Sequence, residues 1–272
     1  MLASRIATAL VLAPLVLAGV FYLPAIWFAA VFWLAAALAC YEWAGLLQLQ
    51  KIWQRLLYVA VFAAGAAFLY QNPSLYLPVL QLVAALWLFA VLAVLIFPRG
   101  QKIYQQRVFM AFLGQALVVG AWVALIVIRH QPQGAMWLVW ALVLVWGADI
   151  GAYFAGRAIG GRKLAPAVSP GKTWSGAIGG LCSAVVISLI GLYWLDVSLI
   201  VWIVPMVCLI VLSIFGDLFE SVLKRATGVK DSGTLLPGHG GVLDRIDALL
   251  AVLPVFALYL LVVHTPQLEP IV

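Results

Sequence analysis

Apolar residues run through this chain in long blocks, and the polar residues gather in short breaks between them. An α-helix needs about 20 residues to cross a hydrocarbon core about 30 Å thick, and most of the blocks have that length. Residues 6–47 would stretch to roughly 60 Å as one helix, so they read as two spans broken near Pro24. Seven more spans follow at 56–70, 75–97, 108–128, 135–155, 174–195, 198–219 and 248–263, the short third span of the series being the weakest. The early Arg5 and the apolar stretch after it resemble a cleaved signal peptide, but the apolar character continues well past Pro24. The expected fold class is therefore all-α: a polytopic integral membrane protein with about nine transmembrane helices.

Composition agrees with this reading. Hydrophobic residues make up 67% of the 272 positions, and mean hydropathy is +1.16, far above the soluble norm of about half apolar residues. The formal net charge is +6. With the N-terminus in the cytoplasm, 14 of the 15 Lys and Arg fall on the cytoplasmic side and only Arg129 falls outside, as the positive-inside rule asks. The basic residues lie in the breaks between spans and form no patch interleaved with aromatics, which excludes nucleic acid as a partner. Cys40, Cys182 and Cys208 lie within apolar blocks without CxxC spacing and read as small packing or lipid-facing residues.

Chemistry is unevenly distributed, which divides the chain into residues 1–130, N-terminal membrane helices, and residues 131–272, membrane helices that carry the functional motifs. In the first part Glu42 is the sole acid; it sits beside Tyr41 and Trp43, which read as interfacial anchors, near the cytoplasmic end of the second span, and contact with the site is the lesser of its two readings. Trp27, Trp33, Trp53, Trp87 and Trp122 read as lipid-facing or packing residues.

In the second part, residues 216–247 hold nine Asp, Glu, Lys or Arg, in a chain of which only 9% is charged. Charges at the ends of membrane spans are costly unless they pair, bind ions or face water. If the preceding helix continues to about Lys224, then Asp217, Ser221 and Lys224 share one face. A break is expected at Thr227 and Gly228. Pro237, Gly238, Gly240 and Gly241 around His239 allow the backbone to approach a ligand closely, and a new helix should begin near Asp244 with Asp247 on the same face. Acids that can hold Mg²⁺ and bases that can offset phosphate charge are what a nucleoside triphosphate needs.

Upstream, Asp149 lies inside a span with Tyr153 and Arg157 at successive turns; an acid within a span is a functional candidate, and the alternative is a structural pair with a residue such as Arg157. Gly147, Gly151 and Ala155 recur every four residues and permit close helix approach. The Gly171-Lys172-Thr173 triplet invites a P-loop reading, but Pro166 stands where that motif needs Gly and no strand is expected before it. Ser169 and Lys172 at a helix entrance would instead offer a hydroxyl, an ammonium and backbone N–H groups to an anion.

Residues Ser221, Lys224, Arg225, Lys230, Asp231, Gly233, Leu236, Pro237, His239, Gly240, Gly241, Asp244, Arg245 and Asp247 stand at the spacing of the phosphatidate cytidylyltransferase signature. Asp149, Tyr153, Gly156 and Arg157, then Ser169, Pro170, Lys172, Thr173 and Gly176, resemble that family's preceding segments, although Gly171 and Ser175 replace its frequent Lys and Glu. The resemblance covers roughly the C-terminal half. It implies transfer of a cytidylyl group from CTP to phosphatidic acid at a site facing the cytoplasm, in the bacterial cytoplasmic (inner) membrane. Asp217 and Asp244 are then the main ligands of Mg²⁺, with Asp231 and Asp247 in support, over two metal sites of which one could take a monovalent ion. Lys172, Lys224, Arg225, Lys230 and Arg245 would bind phosphates, Ser169 and Ser221 would donate hydrogen bonds, Asp149 would belong to the substrate site, and His239 would hold a phosphate or shape its loop. Small-residue helix faces admit a homodimer.

Three other readings compete. A CDP-alcohol phosphotransferase should carry a D-G-x-x-A-R segment, which is absent. A CTP-dependent lipid kinase needs the same groups but releases CDP. A cation-coupled transporter would explain Asp149 and leave the charged C-terminal stretch idle.

Overall fold

The computed structural model describes residues 2–99, 103, 106–229, 231–233, 235 and 240–263, with the backbone alone at residues 2–9. Its helices, in chain order, are α1 (Leu2–Tyr22), α2 (Ala25–Leu46), α3 (Ile52–Gln71), α4 (Tyr76–Ile96), α5 (Arg107–Arg129), α6 (Gly134–Ile159), α7 (Trp174–Trp194), α8 (Leu199–Thr227) and α9 (Leu243–Val263). Among the described residues, eight helices are long and apolar enough to cross a membrane, and α1 adds a shorter apolar stretch over Leu10–Tyr22. The chain is thus a polytopic all-α membrane protein, as its apolar blocks predict. Pro24 stands at the N-cap of α2 and separates the first two helices.

The third helix is a full 20 residues, longer than its apolar block. Trp53, Gln54 and Arg55 extend it beyond the hydrophobic run, and Arg55 Nε donates to the Leu49 carbonyl at 2.8 Å. α8 continues through the charged residues Asp217, Glu220, Lys224 and Arg225 and ends at Gly228, whose φ of 75° closes the helix in the left-handed region.

One element departs from the sequence reading. β1 (Lys163–Ala165) and β2 (Ser169–Thr173) form an antiparallel hairpin between α6 and α7, with Lys163 opposite Thr173 and Ala165 opposite Ser169. Thr173 then caps α7, its Oγ1 accepting from Gly176 N at 3.1 Å. Ser169 and Lys172 therefore lie on a strand that leads into the helix.

Lipid chains are as apolar as Leu, so helices in a bilayer associate through close packing and hydrogen bonds. Both are present. Four indole N–H groups join neighbouring helices: Trp43 to the Met110 carbonyl, Trp87 to Leu250, Trp122 to Ala29 and Trp140 to Ser188, at 2.9–3.1 Å. Trp87 and Trp122 are buried packing residues, whereas Trp27 and Trp53 are exposed on the surface. At the end of the bundle away from the charged stretch, Trp137 stacks on Trp202 with centroids 4.4 Å apart, Phe256 packs against both, and Arg129 lies over the Phe28 ring.

Among the described helices, α6 and α7 share the most extensive contact. Ser183 Oγ donates to the Gly147 carbonyl at 2.7 Å. A Cβ on Gly151 would collide with the Ser183 side chain, and one on Gly180 would meet the Ala148 carbonyl at 2.7 Å. The small residues at 147, 151 and 155 thus serve a contact within the chain. Gly151→Leu is expected to destabilise the bundle by about 2–3 kcal/mol, since overpacking a tight contact costs about 1–3 kcal/mol. Thermal unfolding in detergent would register this as a lower midpoint. An unchanged midpoint would mean that the two helices can separate without cost.

Candidate active site

Three segments converge at one end of the bundle: the hairpin after α6, the last three turns of α8, and the segment that enters α9. Their geometry follows from helical spacing. Asp217 and Glu220 are three residues apart on α8, and Lys224 is a further turn on, so all three project toward the hairpin and α9.

Lys172, on β2, places Nζ 2.5 Å from Asp217 Oδ2. One turn further along α8, Lys224 Nζ lies 2.7 Å from Glu220 Oε2 and 2.7 Å from Asp244 Oδ1. That cation bridges two carboxylates from different helices. The side chains of Glu220 and Asp244 are almost fully buried, which makes the shared ammonium necessary, because an unpaired buried charge costs several kcal/mol. Asp244 is further held by Gly241 N at 2.8 Å and Ser232 N at 3.1 Å. Gly240 between them has φ 81°, and a Cβ there would meet Asp244 Oδ2 at 2.7 Å; both conditions require Gly.

Around these pairs stand two further acids. Asp149, on an exposed face of α6, interacts electrostatically with Asp217, Lys172 and Arg245. Asp247 does so with Asp217, Glu220 and Asp149, and its Oδ1 accepts from Ala248 N at 2.6 Å. Arg157, the structural alternative for Asp149, turns instead to its own helix, where its Nη1 donates to the Tyr153 hydroxyl at 2.9 Å. Arg225 Nε donates to the buried Val168 carbonyl at 3.2 Å and so ties the hairpin to α8.

Of the residues singled out in the sequence, Asp149, Lys172, Asp217, Lys224, Asp244, Arg245 and Asp247 fall within one electrostatic neighbourhood. Ser169 begins β2 opposite Ala165, and Ser221 lies on α8 between Asp217 and Lys224, half-buried. Asp231 is exposed beside Gly240. Lys230 and His239 lie outside the described residues.

Two acids that sequence reasoning did not assign also belong here. Glu220 could have been found from its i, i+4 relation to Lys224. Glu42, from α2, is buried and accepts from Val242 N and Leu243 N at the entrance to α9. No local pattern points to that contact.

Whether this donor set suits a divalent cation can be judged from its chemistry. Carboxylate oxygens are the hard ligands Mg²⁺ takes, and among the described residues Glu220 Oε1 is a buried oxygen without a hydrogen-bond partner. Among the described residues, however, no three His, Cys, Asp or Glu converge as a ready-made cage, and Asp244 already receives Lys224 and two N–H groups. The residues therefore fit a site that shares a metal with a phosphate ligand, the usual way Mg²⁺ is held.

A family model described as "Cytidylyltransferase family" matches residues 3–263. A protein of Pseudomonas aeruginosa named phosphatidate cytidylyltransferase is 43% identical over 94% of this chain and 96% of its own length. One of the same name from Haemophilus influenzae is 36% identical over 95% and 98%. A Brucella suis protein, also so named, is 53% identical over 44% of this chain and 45% of its own. The match runs through the N-terminal helices as well as the charged segments, and on that evidence the chain belongs to the cytidylyltransferase family.

Proposed function

We propose that the protein transfers the cytidylyl group of CTP to phosphatidic acid, giving CDP-diacylglycerol and pyrophosphate. The observation that carries this reading is the meeting of two lysine–carboxylate clusters, Lys172 with Asp217 and Lys224 with Glu220 and Asp244, at one end of a membrane bundle whose relatives bear that name. One substrate is soluble and the other is held by its acyl chains, so the reaction belongs at a membrane surface. The distribution of Lys and Arg supports a surface that faces the cytoplasm, and the bacterial origin of the relatives supports the inner membrane.

A phosphate oxygen of phosphatidic acid attacks the α-phosphorus of CTP, and the bond from that phosphorus to the bridging oxygen of pyrophosphate breaks. No protein nucleophile is needed, so catalysis consists of alignment and offsetting of charge. Lys172, Lys224 and Arg245 would bind the triphosphate and the lipid phosphate, with Ser169 and Ser221 as hydrogen-bond donors. Arg225 holds the hairpin against α8 and can present its outer guanidinium edge to phosphate. Asp149 helps to set the field around Lys172 and Arg245. Asp217 and Asp244, with support from Asp231 and Asp247, would hold Mg²⁺, which supplies charge neutralisation on the phosphates; a second, monovalent ion would fit the same carboxylate-rich environment. Homodimerisation is proposed only as compatible with the remaining helix faces.

Purified protein given CTP labelled at the α-phosphate, phosphatidic acid and Mg²⁺ should yield a labelled lipid and equimolar pyrophosphate, and chelation of divalent cations should stop both. Release of CDP with no label in the lipid would replace this reading by a lipid kinase.

A further inference from the structure

Glu42 stands outside every motif on which the family resemblance rests, and outside the part of the chain to which chemistry was assigned. It is nevertheless only 3% exposed. Its Oε1 accepts from Val242 N at 3.0 Å and its Oε2 from Leu243 N at 2.8 Å. These N–H groups open α9, where no preceding carbonyl of the helix can satisfy them. A carboxylate from a distant helix thus performs the work of an N-cap, with its charge at the positive end of the α9 dipole.

The fit is close. A Cβ on Gly233 or on Gly241 would collide with the Glu42 carboxyl group, so two stretches of the entering segment pass directly over it. Asp244, one residue beyond Leu243, takes Gly241 N and Ser232 N. The same segment is therefore gripped by two carboxylates, one anchored in α2 and one in α9. A buried acid in a membrane bundle is costly to maintain, and such residues are ordinarily tied to function.

We propose that Glu42 is a positioning residue for cytidylyl transfer: through Val242 and Leu243 it fixes the first turn of α9, and with it the placement of Asp244 and Asp247 against Lys224 and Asp217. The inference rests on the site reading given above. It makes α2 a working part of the site.

Glu42→Gln keeps the size of the side chain and one accepting oxygen, and Glu42→Asp keeps the charge on a shorter arm. With Glu42→Gln, turnover should fall on the order of 10–100-fold, since misplacement of reacting groups by about 1 Å can cost about 10²-fold, while the KM for CTP changes much less. Amide hydrogen exchange at residues 241–243 should quicken about tenfold or more, with the helix interiors unaffected. Glu42→Asp should recover part of both. Wild-type turnover in Glu42→Gln would overturn the proposal, as would lost turnover with unchanged exchange at 241–243. Collapse of the whole fold in both variants would also count against it, because positioning predicts a change confined to the segment. If the unsubstituted protein does not label phosphatidic acid from CTP, the function reading fails, and the exchange comparison still decides whether Glu42 holds the segment.

Discussion

Lys224→Met is expected to lower both turnover and stability, each strongly. The Lys224 ammonium lies between Glu220 and Asp244, whose side chains are 4% and 7% exposed. Met fills a similar volume but leaves two buried carboxylates facing each other without their cation. Breaking a buried pair in this way costs about 3–5 kcal/mol, a large share of the total stability of an ordinary domain. Turnover should drop about 10²-fold or more even at temperatures where the variant is folded, because the phosphate-binding cation is gone and Asp244 loses its anchor. The two effects separate in the double variant Lys224→Met/Glu220→Gln, which should regain much of the unfolding midpoint and none of the turnover. A single variant that unfolds at the wild-type temperature would mean that water reaches the two acids and screens them.

Asp217→Asn should behave differently: turnover reduced about 10²–10³-fold, with the unfolding midpoint almost unchanged. The Lys172–Asp217 pair is the more open of the two clusters, with 28% and 34% of the side chains exposed, and ion pairs of that kind contribute little to stability. Its value is chemical. The carboxylate faces Lys172 from the hairpin and interacts with Asp149 and Asp247, so its loss alters the charge on which substrate phosphates depend, and removal of one well-placed electrostatic group costs about 2.7–4 kcal/mol in the transition state. Turnover and midpoint measured on the same preparation check both halves of the expectation. Near-normal turnover would remove Asp217 from the machinery.

The contrast between the two clusters also bears on what the sequence could reveal. The spans were legible because a bilayer demands about 20 consecutive apolar residues, and little else in a chain imitates that signal. Their ends were less so: α3 starts at Ile52 because backbone hydrogen bonding continues into residues such as Gln54 and Arg55 that hydropathy discards. The hairpin was not legible. Ser169-Pro170-Gly171-Lys172-Thr173 has little strand propensity, and strands of three and five residues are too short to show alternation. What holds them is tertiary, including the Arg225 bond to Val168. Within the site, acids and bases that lie close in sequence could be grouped by helical spacing, which brought Asp217 and Lys224 together. The Glu42 contact spans 200 residues, and no periodicity encodes a relation of that length.

That span has a further meaning for how the protein is made. Ribosomes add roughly 5–20 residues per second, so α2 is complete about 10–40 s before Leu243 is synthesised. Throughout that interval the nascent chain carries an acid whose backbone donors do not yet exist. A chain that stops before α9 never acquires them, and its Glu42 stays without the two N–H groups that hold it in the finished protein.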